Sequence, residues 1–120
     1  MDSKTNIAEL KEKVRKFCEE RDWGQFHGAK ELAIGIVTES SELLQHFRFK
    51  TDKEIEELFE KESIKQEISE EMADVFYFLI RLAQKYDIDL TNELDKKLKK
   101  NSEKYTVEKF KGSNKKYTEI

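Results

Sequence analysis

Four acidic residues occur as two pairs with the same spacing, and this spacing could place all four in one metal site. Glu39 and Glu42 form an E-x-x-E pair, and Glu71 and Asp74 form an E-x-x-D pair. Residues three apart on an α-helix lie on adjacent turns of one face. If the two helices are antiparallel neighbours, the pairs can face each other and gather four carboxylates into a small volume.

Such a cluster would take up protons or spread apart unless a cation compensated its charge. Oxygen ligands without cysteine or histidine favour Mg²⁺, with Mn²⁺ as a substitute, over zinc. A di-iron site needs Glu-x-x-His pairs, and neither His27 nor His46 has a glutamate three residues before it. The alternative is an ordinary solvated acidic surface, because 26 of the 120 residues are acidic and such pairs also arise by chance.

Apolar residues at helical spacing predict four long helices that would position these carboxylates. The helices are expected from Asn6 to about Glu20, from Ala29 to about Phe47, from a capping pattern at Ser63 and Gln66 to about Tyr86, and from a cap at Asp87 or Asp89 to about Tyr105. A capping box at Thr51 and Glu54 predicts a short additional helix. The segment RDWGQFHG between the first two helices is predicted to be an aromatic-rich loop.

The second and third helices carry the widest apolar faces. Their predicted core residues are Leu32, Ala33, Ile36, Val37, Leu43, Leu44 and Phe47 on the second helix, and Ile68, Met72, Val75, Phe76, Leu79, Leu82, Ala83 and Tyr86 on the third. The third helix is apolar almost all round. That pattern is typical of a helix that is central in a bundle or shared between subunits.

Length and composition indicate one all-α domain over residues 1–105, followed by a basic tail over residues 106–120. The chain has 120 residues, of which 41% are charged, with four glycines and no proline. A net charge of −3 argues against a nucleic-acid polymer or an anionic membrane as partner. Cys18 is the only cysteine, which excludes an internal disulfide, and with no signal peptide or transmembrane run the pattern predicts a soluble cytoplasmic protein.

Six segments, in order along nearly the whole chain, resemble the MazG-like all-α nucleoside triphosphate pyrophosphohydrolases, and more closely their dCTP pyrophosphatase branch. They are RDWGQFH, ESSE at Glu39–Glu42, FRFKTD, EMAD at Glu71–Asp74 followed by VFYFLIRLA, NSEKY at Asn101–Tyr105, and KKYTE. The resemblance implies a four-helix bundle assembled as a homodimer or a dimer of dimers. It also implies Mg²⁺ on Glu39, Glu42, Glu71 and Asp74, which would be the catalytic and metal-binding residues.

The same resemblance implies a reaction and a set of substrate contacts. Water would attack the α-phosphorus of a (deoxy)nucleoside triphosphate, with dCTP or a modified pyrimidine relative as the leading substrate, and release the monophosphate and pyrophosphate. The residues at the family's base-pocket positions are Trp23, His27 and Phe49, together with Phe78 one turn after Asp74. Those at its phosphate-binding positions are Asn101 and Lys104, and the tail residues Lys116 and Tyr117 would close over the site.

Departures from the family pattern leave the preferred base open. Phe49 stands where relatives often have tryptophan, Glu31 where asparagine is common, and Thr106 where many have proline. Two alternative functions therefore remain. One is a broad-specificity hydrolase of noncanonical nucleoside triphosphates. The other is a non-enzymatic helical interaction module in which Ile34 and the third helix form a partner surface.

Overall fold

The structure is a computed structural model that describes residues 1–119. Over these residues it contains α-helices and two single-turn 3₁₀ helices, with no β-strand, so the all-α prediction is confirmed. The α-helices are α1 (Ile7–Glu19), α2 (Ala29–Gln45), α3 (Asp52–Leu58), α4 (Glu62–Lys85), α5 (Leu90–Lys104) and α6 (Val107–Phe110), and the 3₁₀ turns are Gly24–Phe26 and Tyr117–Glu119.

Side-chain caps begin three of the predicted helices. The Asn6 side chain accepts a hydrogen bond from the backbone N–H of Glu9 at the start of α1. Thr51 and Glu54 form the complete capping box at the start of α3, as predicted. Asp89 caps α5. Each of these side chains satisfies a backbone donor that has no partner inside its helix, which contributes about 1 kcal/mol.

The capping pattern predicted at Ser63 and Gln66 is wrong. Helix α4 begins earlier, at Glu62, and Lys61 takes the extended backbone conformation of the N-cap. Ser63 is therefore already inside the first turn. Ser63 and Gln66 have the spacing of a capping box, but the helix starts after Lys61, the last residue with a non-helical backbone.

The chain separates into two compact units, Met1–Asp87 and Ile88–Ile120. In the first unit α4 packs against α1 and α2. Its fully buried apolar residues are Cys18, Leu32, Ile68, Ile80 and Ala83. One side chain from each of α1 and α2 and three from α4 form this core.

Fewer apolar residues are buried in the core than the apolar stripes of the helices predict. Val37 and Leu44 on α2 are 69% and 62% exposed, and the Met72 side of α4 is also open to solvent. An apolar stripe on a helix is wider than the line along which one neighbouring helix can contact it. The remaining apolar surface of α2 and α4 is therefore left uncovered by the described part of the chain.

The second unit contains α5, α6 and the last 3₁₀ turn. Helix α5 ends at Lys104, close to the predicted end, but the following segment is not wholly irregular, because the Thr106 hydroxyl accepts from the backbone of Lys109 and starts α6. The Tyr105 ring contacts the Phe110 and Tyr117 rings edge-on. The boundary predicted between residues 105 and 106 remains a prediction, and residue 120 of that tail lies outside the described residues.

Within residues 1–119, none of the helices combines the length and apolar character needed to span a lipid bilayer. The cytoplasmic location remains a prediction.

Candidate active site

The packing of α4 against α2 brings three of the predicted metal ligands together. Glu39 and Glu42 extend from α2 and Glu71 from α4, and one carboxylate oxygen of each lies within 4.8 Å of those of the other two. The i, i+3 spacing places the first two on adjacent turns of the face that meets α4. A single cation could therefore contact all three side chains.

Asp74 lies one turn after Glu71, at the edge of this cluster. It lines the same pocket as Glu39, and its negative charge acts on both Glu39 and Glu71. It is not within the 4.8 Å group formed by the other three carboxylates. Glu67, one turn before Glu71, is also outside that group and is exposed. The structure thus gathers three carboxylates closely and places a fourth beside them.

The cluster is electrostatically unfavourable without a cation. Burial, followed by the adjacent carboxyl of Glu42 and the charges of Asp74 and Glu71, raises the pKa of Glu39 to about 6. Burial and the Glu42 carboxyl also raise the pKa of Glu71. His46 has the opposite effect and lowers the pKa of Glu71, because its Nε2 lies 3.9 Å from Glu71 Oε1.

One oxygen of this cluster has no partner. Glu71 Oε2 is buried and accepts no hydrogen bond from any residue in the described part of the chain. A buried carboxylate oxygen without a donor carries a desolvation cost of about 1–3 kcal/mol or more. A hard divalent cation would satisfy this oxygen, and an all-carboxylate set of donors fits Mg²⁺ or Mn²⁺.

A pocket with aromatic walls opens beside the carboxylates. Its lining residues are Phe17, Trp23, Glu39, Asp74, Tyr77 and Phe78. The Phe17 ring contacts Trp23 and Tyr77 edge-on, at centroid distances of 5.6 and 6.0 Å. Flat apolar walls beside a cluster of carboxylates suit a ligand that has a planar ring at one end and a cation-bound anion at the other.

Trp23 and Phe78 were predicted in this pocket, whereas Phe17 and Tyr77 were not. Phe17 lies on the apolar stripe of α1 and reads in the sequence as a core residue. Tyr77 follows Asp74 by three residues, so the helical spacing already placed it on the same face as a predicted ligand. That spacing is the signal that could have identified it.

His27 lies next to the pocket through its contact with Trp23. The two ring centroids are 6.3 Å apart. His27 Nδ1 accepts a hydrogen bond of 3.0 Å from Arg81 Nε. Burial lowers the pKa of His27, and the positive charges of Arg81 and Lys85 lower it further. The imidazole is therefore held in its neutral form.

Two cations of α4 hold the loop that carries Trp23 and His27. Lys85 Nζ donates to the backbone carbonyl of Gly24 at 2.9 Å and to that of His27. Arg81 donates to the His27 ring, as described above. Neither cation was identified from the sequence, although an arginine inside the apolar run VFYFLIRLA is itself unusual.

Phe49 is not brought to the pocket. Its side chain is 89% exposed, and its backbone has a φ of 62°. The Arg48 guanidinium carbon lies 4.5 Å from the centroid of the Phe49 ring. Phe49 is not among the residues that line the pocket with Trp23 and Phe78, and its contact with a base remains a prediction.

The predicted phosphate-binding residues all lie in the second unit. Lys104 Nζ is 4.8 Å from the centroid of the Tyr117 ring, so these two predicted residues are brought together. The Lys116 backbone N–H donates to the Glu119 carboxylate at 3.0 Å. Asn101 is partly buried on α5. The roles of these residues remain predictions.

Comparisons with known proteins agree with this architecture. The sequence model of the MazG-like family matches residues 34–120. The chain is 31% identical to rat dCTP pyrophosphatase 1 over 114 residues, which are 95% of this chain and 67% of that protein, and the human protein of the same name gives the same identity and coverage. A crystal structure of a pyrophosphatase from Archaeoglobus fulgidus superimposes with a TM-score of 0.78 at 34% identity, covering 83% of this chain and 92% of that one. This chain therefore belongs to the MazG-like family, in the branch that contains those dCTP pyrophosphatases.

Proposed function

We propose that this protein is a Mg²⁺-dependent pyrophosphohydrolase of dCTP or a modified pyrimidine deoxynucleoside triphosphate, and that its products are the monophosphate and pyrophosphate. The general class is supported by family membership and by the pyrophosphatases among its relatives, so the chain is a nucleotide pyrophosphohydrolase. The cation and the base are the finer parts of the proposal, and Mn²⁺ is expected to substitute for Mg²⁺.

One observation supports the cation most directly, namely the convergence of Glu39, Glu42 and Glu71 with a buried oxygen of Glu71 left without a donor. Three carboxylates at this separation repel one another, and this repulsion adds to the effect of burial in raising the pKa of Glu39. A helix contact that keeps them together is explained if a divalent cation is bound there. Asp74, beside them, would complete the ligand set.

When bound, the cation supplies charge neutralisation for the triphosphate oxygens and increases the acidity of a water molecule. The side chains of the site have separate tasks. The carboxylates would hold the cation, and through it the phosphate end of the substrate, so that water can approach the α-phosphorus in line with the leaving pyrophosphate. A carboxylate of the cluster accepts the proton of the attacking water.

The aromatic pocket supports a nucleobase at the other end of the substrate. Trp23 and Phe78 offer flat faces, and stacking of a base on an aromatic ring contributes about 1–3 kcal/mol. His27 supplies a polar edge next to Trp23. The proposal of cytosine as the base rests on the dCTP pyrophosphatases among the relatives.

The proposed contacts of Asn101, Lys104 and Lys116 with the triphosphate rest on the resemblance to the family. Lys104 and Lys116 carry positive charge, and Asn101 can donate through its amide. Tyr117 contacts Lys104 and would order that side chain. The variant Lys104→Met is expected to raise KM for the nucleotide without removing the thermal shift produced by Mg²⁺ alone.

The proposal is tested by incubating the protein with Mg²⁺ and a panel of deoxynucleoside triphosphates in water enriched in ¹⁸O. Attack at the α-phosphorus places the label in the monophosphate, whereas attack at the β-phosphorus places it in pyrophosphate. Release of free phosphate would contradict the proposal. One dominant substrate supports a dCTP-type enzyme, and a flat profile supports the broad-specificity alternative.

Variants of the carboxylates provide the matched test. Glu42→Gln and Glu71→Gln keep the side-chain volume but remove a charge from the cluster, so kcat should fall at least about a hundredfold. Glu67→Gln removes an exposed charge from the same helix α4 outside the cluster and is the control. Equal activity in Glu71→Gln and Glu67→Gln would remove the metal-site assignment.

We also propose that the protein is a homo-oligomer. A groove along α2 and α4 is lined mainly by Leu43, Met72, Val75, Phe76 and Leu79. Met72 is 56% exposed, although it lies on an apolar face of α4. An identical apolar helix face on a second copy is the simplest self-complementary cover for such a stripe.

The oligomer is tested by measuring molar mass by light scattering during size-exclusion chromatography. The wild type should elute as a dimer or tetramer, and Met72→Asp should shift it toward the monomer. Val107→Asp changes another exposed apolar residue, outside the groove, and should leave the mass unchanged. A monomeric wild type at micromolar concentration would exclude the proposed assembly.

A further inference from the structure

Arg81 is a buried cation whose position is not explained by an ion pair. It is 4% exposed and lies in the apolar part of α4. Its Nε donates to His27 Nδ1 and its Nη1 donates to Gln84 Oε1, both neutral acceptors. No carboxylate within residues 1–119 forms a salt bridge with it. Because burying an unpaired charge is costly, the two hydrogen bonds must be the contacts that hold the guanidinium there.

The bond to His27 determines which ring nitrogen carries the hydrogen. A guanidinium keeps its protons in proteins and can only donate. His27 Nδ1 must therefore present its lone pair to Arg81. A neutral imidazole has one N–H, so the hydrogen lies on Nε2. The remaining polar atom of the ring is thus a hydrogen-bond donor and cannot act as an acceptor.

The backbone of the same loop is held by a different residue. Lys85 Nζ donates to the carbonyl oxygens of Gly24 and His27 but makes no hydrogen bond to the imidazole. The two α4 residues that hold this loop therefore have separate tasks. Lys85 fixes the path of the loop, and Arg81 fixes the chemical state of the ring.

We propose that Arg81 is a positioning residue that locks His27, whose ring contacts the pocket residue Trp23, as a neutral Nε2–H donor, and that this donor recognises a pyrimidine by the lone pair on its N3 atom. Cytosine has that lone pair, whereas uracil and thymine carry an N–H at the same position. The fixed Nε2–H can donate a hydrogen bond to N3 of cytosine, but on uracil and thymine it faces a second N–H donor. This inference rests on the proposed function, because it assigns base selection within that same site.

The ring state can be measured without substrate or metal. Only two histidines are present, and His27→Gln assigns the ¹⁵N resonances of the other. In the wild type at neutral pH, His27 Nδ1 should show the chemical shift of an unprotonated nitrogen and Nε2 that of a protonated one. Arg81→Met should give a mixture of tautomers, whereas Lys85→Met should leave the wild-type tautomer. A protonated Nδ1 in the wild type, or an unchanged tautomer in Arg81→Met, overturns the proposal.

Base selection is measured as the ratio of kcat/KM for dCTP to that for dUTP. Arg81→Met should lower this ratio about tenfold, mainly through KM, because a ring free to change tautomer can accept from uracil N3–H. Arg81→Lys retains a donor and should restore part of the ratio. Lys85→Met loosens the loop for both nucleotides and should leave the ratio unchanged. Circular dichroism establishes that each variant is folded.

The outcomes distinguish a failure of the role assigned to Arg81 from a failure of the proposed function. If the wild type hydrolyses dCTP but the ratio is the same in Arg81→Met, the role of Arg81 is overturned and the proposed function stands. If the wild type converts no deoxynucleoside triphosphate to monophosphate and pyrophosphate, the proposed function fails and the assignment of base selection falls with it, whatever the tautomer.

Discussion

The ring of Phe78 on α4 packs directly against the backbone of Gly35 on α2. A Cβ atom on Gly35 would lie 2.5 Å from Phe78 Cδ1, which is far below any normal contact distance. Glu39 follows Gly35 by one turn, and Phe78 follows Asp74 by one turn. The glycine therefore sets how closely the two carboxylate-bearing helices approach each other, and it also sets where one wall of the pocket stands.

Gly35→Ala is expected to distort the pocket, even though alanine stabilises a helix better than glycine does. Alanine favours the helix by up to about 1 kcal/mol, but overpacking against Phe78 costs about 1–3 kcal/mol. The melting temperature should fall and KM for the nucleotide should rise, because the ring must move into the pocket. Gly28→Ala is the control, since a Cβ there meets no atom within 4 Å. A Gly35→Ala variant that melts and binds like Gly28→Ala would show that the contact is not restrictive.

The helices were predictable because each is encoded locally, by periodicity and by its caps. Thr51 and Glu54 illustrate this, since both hydrogen bonds of their capping box lie within four residues. The E-x-x-E and E-x-x-D pairs were also visible, because i, i+3 spacing fixes a shared face. The sequence could not show which of these faces meet, because that depends on how two helices cross.

The roles of the residues that the sequence did not identify depend on how the helices cross. Phe17 reads as a core residue of α1 until α4 is placed beside it, and Arg81 reads as a misplaced charge until the loop with His27 is seen. The narrow core has the same cause. One helix covers only part of an apolar stripe, so residues such as Met72 look buried in sequence but are exposed in the chain.

Mg²⁺ should stabilise the protein through the carboxylate cluster even without nucleotide. A ligand that binds only the native state adds about 2.7 kcal/mol at ~100-fold excess over Kd, which is a shift of several degrees in melting temperature for a domain of this size. Glu71→Gln should lose most of this shift, and its metal-free form should melt no lower than the wild type, because one repulsive charge is gone. Glu67→Gln should retain the shift. A Mg²⁺ shift of wild-type size in Glu71→Gln would contradict the assignment.

His27 gives the protein a defined dependence of stability on pH. Its pKa is lowered in the native state from the usual 6.5, so between these two values the unfolded chain binds more protons than the native one. The contribution of His27 is therefore present above pH 6.5 and is lost as the pH falls through the lowered native pKa. Protonation also removes the acceptor for Arg81.

Glu39 has the opposite effect on the dependence of stability on pH. Its pKa is raised to about 6, so its proton uptake stabilises the native state as the pH falls. The test is therefore a difference, namely the free energy of unfolding of the wild type minus that of His27→Gln, measured by urea denaturation between pH 5 and 8 in the absence of metal. This difference should decrease as the pH is lowered. A difference that is constant with pH would show that His27 titrates normally.

The resemblance predicts that both Trp23 and Phe49 contact the base, whereas the geometry of the pocket supports this role for Trp23 alone. Trp23 lines the pocket with Glu39 and Asp74, whereas Phe49 is 89% exposed and lies under Arg48. Loss of one stacked base contact costs about 1–3 kcal/mol, so Trp23→Ala should raise KM for dCTP about 5- to 150-fold with a smaller change in kcat. Phe26→Ala, which changes an exposed aromatic residue of the same loop, controls for loop perturbation. Phe49→Ala should behave like Phe26→Ala, and an increase in KM as large as that of Trp23→Ala would mean that residues 47–50 move onto the base when the nucleotide binds.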